Sequence, residues 1–277
     1  MLNTLKRLEK QGFEVTLLDV SPTGLVSPEQ VSAALRPDTC LVTVMAANNE
    51  IGTIEPIAKI AKVCRERGVV FHTDAVQAVG HIPVDVREIG CDMLSLSAHK
   101  FNGPKGAGAL FVRSGAAICP FITGGLQERG VRAGTENVAA IAAMAAALRE
   151  ALDSLPRRMA YVSGLRDALT EGLLKIPRSK LHGDNSRLPG IVSVSFEGID
   201  GERLVLELSA RGICASAGAA CTTGNPAPSH VLLALGNSTE AARGALRLSL
   251  SHENTPEEIG VIAAEVSAAV ERIRSKP

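Results

Sequence analysis

"SLSAHKFNGPKGAGAL", Ser95–Leu110, carries the end of an apolar run into a histidine–lysine pair and then into a glycine-rich turn. The run starts upstream as "DMLSLS" (92–97), short and apolar enough to predict a strand. Lysine is rarely buried without a partner. A lysine at the mouth of a core strand, beside a histidine, therefore asks for a purpose.

Outward from this stretch, strand and helix signals alternate. "FEVTLLDV" (13–20) reads as a strand, and "CLVTVMAA" (40–47) as a continuous buried one. "VVFHTD" (69–74) and "AGALFVR" (107–113) add two more. Between them, "SPEQVSAALR" (27–36) has Ser27 as N-cap, Pro28 at N1 and Gln30 at N3, a capping-box start. "EPIAKIAKVCRERG" (55–68) places Ile57, Ile60, Ala61 and Cys64 on one helical face and ends at Gly68. Thr135 is the expected N-cap of a long helix over 135–155. This alternation predicts an α/β domain with a mainly parallel sheet over 1–153. Beyond Pro156 the pattern changes to helices near 157–175, 201–212 and 228–236 and strands at 190–196 and 244–250. A last helix over 255–275 opens on a Thr255–Glu258 capping box and carries the stripe Ile259, Ile262, Val266, Val270 and Ile273. Residues 154–277 read as a smaller α+β domain.

The chain has 277 residues, 45% of them apolar, with 29 basic and 29 acidic side chains. Zero net charge and three per cent aromatics argue against a nucleic-acid binder, which needs bulk positive charge or stacking platforms. No apolar run is long enough for a bilayer, and no signal-peptide core is visible, so a cytoplasmic protein is expected. None of the six cysteines forms a C-x-x-C pair, and no intrinsic metal site is expected. Cys40, Cys64 and Cys91 sit in apolar contexts and read as small buried residues.

In an open α/β sheet, ligands bind beyond the carboxyl ends of the strands. Three segments end there in polar groups: Asn48, Asn49 and Glu50; His72, Asp74 and Gln77; Ser97, His99 and Lys100. Singly, Lys100 reads as a solvated loop lysine and Asp74 as a cap. Together they suit a phosphorylated aromatic aldehyde. The lysine supplies an amine for a Schiff base, the carboxylate a partner for a protonated ring nitrogen, and Ser and His groups a phosphate site. Those are the parts of a pyridoxal 5′-phosphate (PLP) site. Around Cys221, "CASAGAACTTGNPAPSHV" (214–231) has little bulk to bury a thiol, so an exposed thiol stands beside the plainer reading of a packed small cysteine, and with nothing basic adjacent any thiolate activation must come from the fold. Arg247 lies on a strand among apolar neighbours, where its planar fork suits a carboxylate or an internal salt bridge. "GGLQERGVRAGTEN" (124–137) combines glycines, arginines and a helix start, a weak anion-site signal.

"NNEIG", "HTDAVQ", "SAHKFNGPKGAGAL", "GGLQERGVRAGTEN", "GAACTT…PSHVLLALG" and "RLSLS", in this order along nearly the whole chain, resemble the cysteine desulfurases of the class V aminotransferase group. The cysteine-loop spacing is similar to the branch serving iron–sulfur cluster assembly. The resemblance implies a fold-type I PLP-dependent transferase. Lys100 would then carry the PLP, Asp74 pair with its ring nitrogen, Gln77 bond its ring oxygen, and Ser97 and His99 hold its phosphate. Asn49 would contact cofactor or substrate, and Arg247 grip the α-carboxylate of L-cysteine. Cys221 would accept the sulfur as a persulfide and release L-alanine, then pass sulfur to an acceptor or scaffold protein, with transient ligation of a cluster at most. Thr135 would reach the phosphate of a second subunit, implying a homodimer. Leu126 stands where the family commonly has a third glycine, and Ser251–His252 where it has Gly-Arg. The family also has a substantial portion ahead of the segment matching "LNTLKRLEKQGFEV", including a phosphate-binding turn and a ring-stacking histidine, so an N-terminally incomplete chain is expected. A selenocysteine lyase, another class V enzyme, or an inactive remnant keeping a dimer or partner surface are the alternatives.

Overall fold

The computed structural model of the chain describes residues 2–218 and 228–275. A short amphipathic helix α1 (Leu2–Glu9) opens it. Helix α2 (Pro28–Ala34) begins with the expected box: Ser27 accepts from the Gln30 N–H, and the Gln30 side chain accepts from the Ser27 N–H at 2.8 Å. Strand β1 (Leu41–Met45), helix α3 (Ile57–Glu66), strand β2 (Val70–Asp74), the single turn α4 (Val86–Ile89) and strand β3 (Met93–Ser97) follow. Strand β3 runs into a 3₁₀ turn (Ala98–Phe101), and β4 (Gly108–Val112) returns beside it. The sheet order is β1-β2-β3-β4, with β1–β2 and β2–β3 parallel and β3–β4 antiparallel. Ile60, Ala61 and Cys64 of α3 pack onto one face of the sheet with Phe71 and Leu94.

Helices α5 (Val138–Asp153) and α6 (Leu155–Leu174) lead to a second, antiparallel sheet of β5 (Ser179–Leu181), β6 (Ile191–Phe196) and β7 (Ala245–Ser249). Between β6 and β7 come α7 (Gly201–Ser209), α8 (His230–Ala234) and α9 (Thr239–Arg243). Helix α10 (Pro256–Ser275) packs against α6 and α7 over this sheet. Its capping box is present, and Ile259, Val266, Val270 and Ile273 are buried, with Ile262 packed at the margin. The two sheets are tied through the segment after β1: Ile54 donates to the Ser186 carbonyl at 3.0 Å, and Leu188 donates to the Gly52 carbonyl at 2.8 Å.

Four expectations change. Residues 13–20 form no strand, because no described strand lies alongside to complete a ladder; Leu18 and Val20 pack on the core while Leu17 is exposed. Strand β1 is not buried: it is the edge of the sheet, and Leu41 and Met45 are 48% and 38% exposed. Cys40, at its root, is exposed for the same reason. Helix α5 is capped by Asn137, whose Oδ1 accepts from the Ala140 N–H at 3.1 Å, so Thr135 lies outside the helix.

Candidate functional site

Because β1, β2 and β3 are adjacent and parallel, their carboxyl ends share one rim. Met45 is in register with Asp74, and Asp74 with Ser95, and side chains in register share a face. Asp74, His72 two residues earlier, and Ser95 thus face the same way. Asp74 Oδ1 accepts from the Val76 N–H at 3.0 Å, which turns the chain at the rim and leaves the second oxygen to other partners. Gln77 follows in that turn, half-buried. Beneath Asp74, His72 spans all three strands: Nδ1 meets Thr43 Oγ1 at 2.7 Å and Nε2 meets Ser95 Oγ at 2.8 Å. Burial pushes the His72 pKa down, against the pull of the Asp74 carboxylate.

At the end of β3, Ala98 and Phe101 are buried, so the 3₁₀ turn directs His99 and Lys100 away from the core. Ser97 Oγ and His99 Nδ1 lie 2.8 Å apart. Asn102 closes the turn at φ 65°, and Gly103 donates to the Ala98 carbonyl at 2.8 Å. A Cβ at Gly103 would stand 2.9 Å from that carbonyl oxygen, and one at Gly108 would stand 2.7 Å from the Leu96 oxygen. These two glycines are required by close backbone approach. The Lys100 carbonyl accepts from His81 Nε2 at 2.7 Å. Sequence reading missed His81: it sits in a loop, and no pattern links it to Lys100.

The turn after β1 completes the rim. Asn48 Oδ1 accepts from the N–H groups of Glu50 and Ile51, at 2.8 and 3.1 Å, which fixes Asn49 at its apex. The Asn49 carbonyl accepts from Arg247 Nη1 at 3.0 Å, across 198 residues. Arg247 lies on β7, so the second sheet reaches the rim of the first. The structure therefore brings together Asn49 and Arg247, and on the neighbouring strand ends Asp74, Gln77, Ser97, His99 and Lys100. Thr135 is exposed and, among the described residues, makes no side-chain hydrogen bond. Cys221 lies outside the described residues. Among the described residues no cluster suited to a metal ion occurs, and no helix is long and apolar enough to cross a membrane.

A family profile described as aminotransferase class-V matches residues 1–262. The chain is 48% identical over 276 residues to a cysteine desulfurase IscS of Methanosarcina thermophila, covering 99% of the chain and 68% of that relative. Among solved structures it is similar to a NifS-like protein, at TM-score 0.90 and 36% identity, covering 98% of the chain and 72% of that structure. It is also similar to SspA, solved in complex with cysteine, at TM-score 0.77 and 36% identity over 92% of the chain and 71% of that structure.

Proposed function

This chain belongs to the aminotransferase class-V family, and we propose from that premise that it is a PLP-dependent cysteine desulfurase converting L-cysteine to L-alanine. The observation that carries the reading is the convergence of Asp74, Gln77, Ser97, His99 and Lys100 on the ends of two adjacent parallel strands, with Asn49 and Arg247 beside them.

The donor set fits PLP. Asp74 has an oxygen left over from its turn for the ring nitrogen. The Ser97–His99 contact uses one nitrogen of His99 and leaves Nε2 for a phosphate oxygen. Lys100 follows directly, its backbone held by His81. PLP, when bound, supplies an electron sink for chemistry at the substrate carbons. In this reading Lys100 holds the cofactor aldehyde, Gln77 bonds the ring oxygen, and Asn49 meets cofactor or substrate. Arg247 orients the substrate carboxylate; a planar fork on a strand restricts it to one plane. The Cys221 thiolate attacks the substrate sulfur. An S–S bond forms as the substrate C–S bond breaks, and the electron pair stays with the carbon, which takes up a proton to become alanine.

The reading extends to residues 1–153 as the cofactor-binding unit and 154–277 as the small unit carrying the cysteine loop. It includes a cytoplasmic homodimer in which Thr135 reaches the second subunit's phosphate, and a sulfur-acceptor protein of iron–sulfur assembly. Phe121 and Leu126, 86% and 87% exposed near Thr135, support a covered surface there. The test is to incubate the chain with PLP, reduce with borohydride and map the modified peptide, then to supply L-cysteine and quantify alanine. Cofactor fixed on Lys100 and alanine formed are the expected results. No fixation overturns the reading and favours the remnant alternative.

A further inference from the structure

The residue after Asn49 is a buried carboxylate with work of its own. Glu50 is 4% exposed, and its Oε2 accepts from Ser229 Oγ at 2.5 Å, across 179 residues. The same Ser229 hydroxyl accepts from the Leu232 N–H at 3.2 Å and caps α8. One hydroxyl has one proton and two lone pairs, so both bonds coexist. From the other direction, a Cβ placed on Gly218 would lie 3.8 Å from Glu50 Oε2 and 4.0 Å from Ser229 Cβ. Ser216 Oγ donates to the Gly218 carbonyl at 2.8 Å. The Ser216 backbone exchanges two bonds with Arg247, at 3.1 and 2.7 Å. Arg247 in turn bonds the Asn49 carbonyl. The described flanks on either side of Cys221 therefore meet on the turn Asn48–Glu50.

Burying a carboxylate is costly unless it is hydrogen-bonded. Filling this space alone would be cheaper with an uncharged side chain. We propose that Glu50 is a positioning residue of the desulfurase site. It clamps the downstream flank of the Cys221 segment, through Ser229, to the turn that carries Asn49, beside the upstream flank that Ser216 and Arg247 tie to the same turn. That fixes where the segment is rooted relative to Arg247 and the cofactor rim. A group carried between two fixed roots has a higher effective concentration at a site within its reach. The inference rests on the reading in which Cys221 accepts the sulfur.

The experiment compares Glu50→Ala and Glu50→Gln with the unchanged chain. Amide hydrogen exchange is read first without cofactor; steady-state alanine formation is then read with PLP and L-cysteine. In Glu50→Ala, exchange over 229–234 should rise and kcat fall, each about tenfold, as expected for losing a buried hydrogen bond to a carboxylate. KM and the cofactor absorbance should stay in place. Glu50→Gln keeps an acceptor of equal size and should recover most of both losses. Unchanged exchange in Glu50→Ala overturns the clamp, and faster exchange with unchanged kcat overturns the positioning role. If Glu50→Ala does not fold, Ser229→Gly removes the same bond from its other end while keeping most of the cap; an unaltered kcat there also overturns the proposal. If the unchanged chain forms no alanine, the desulfurase reading is what fails, and the exchange comparison decides the clamp by itself.

Discussion

Strand β1 lies at the edge of the four-stranded sheet with Leu41 and Met45 exposed; strand β6 lies in the middle of the three-stranded sheet with all six residues buried. The same contrast holds for two histidines. His72, beside the rim, is half-buried and bonds Ser95; His182, after β5, is buried and bonds Ser195 at 2.9 Å. Burial pushes His182 down to about 4, with the Lys180 charge adding to the shift. The first sheet has the polar side chains Asp74, Ser97, His99 and Lys100 at or just past the ends of β2 and β3, partly or fully exposed. The middle strand of the second is buried along its whole length, in a core with Phe196, Leu204, Leu246 and Val266.

The sharpest way to break this comparison is to delete side chains from each region. Phe196→Ala should lower the unfolding free energy by about 4 kcal/mol, the cost of a large buried cavity. Leu41→Ala should cost under about 1 kcal/mol because the edge is already solvated. Urea denaturation reads both, and equal losses would end the distinction. Next in size come the two serines. Ser195→Ala strands a buried imidazole nitrogen and should cost about 2 kcal/mol. Ser95→Ala acts on a half-buried imidazole rather than a buried one, and should cost about half as much or less.

A pH series sharpens the comparison where the sheets join. Glu55 is buried and is pushed up to about 7 by loss of solvent, opposed by the Val26 N–H bond and reinforced by Asp184. Its folded pKa is raised, so its contribution is fully present below about 4.5 and is lost as pH rises through about 7. His182 has the opposite sign: its contribution is present above about 6.5 and is lost as pH falls towards 4. Glu55→Gln minus wild type should therefore gain stability with rising pH between 4.5 and 7, by at most about 1.4 kcal/mol per pH unit. His182→Asn minus wild type should lose stability with rising pH between 4 and 6.5. Parallel profiles for variant and wild type would refute the assignment. The smallest effect concerns α5. Asn137→Ala should cost about 1 kcal/mol as a lost cap, and Thr135→Ala nothing measurable in thermal melts. The reverse order would restore Thr135 as the cap.

Much of this was legible in the residues. The capping boxes at Ser27 and Thr255 are short-range devices whose partners lie three residues apart. The rim residues were legible because a parallel strand must deliver its last side chains to one edge. The apolar run of β1 misled because hydrophobicity shows a preference for burial, while neighbours decide its extent. Ser193 and Ser195 in β6 point the other way: polar in sequence, they are buried because the sheet and its helices cover both faces.

By itself the sequence determined the local events: which stretches start helices, which strand ends carry Asp74, Ser97, His99 and Lys100, and where glycine must turn the chain. These depend on bonds and sterics within a few residues. Only the tertiary structure decided that Arg247 meets Asn49, that Ser229 meets Glu50, that His81 holds the Lys100 backbone, and that β1 is an edge. The Arg247–Asn49 and Ser229–Glu50 contacts each close a loop of well over a hundred residues and depend on how the two sheets pack together, while His81 and the edge of β1 are set by packing within the first sheet's region; no local pattern encodes either.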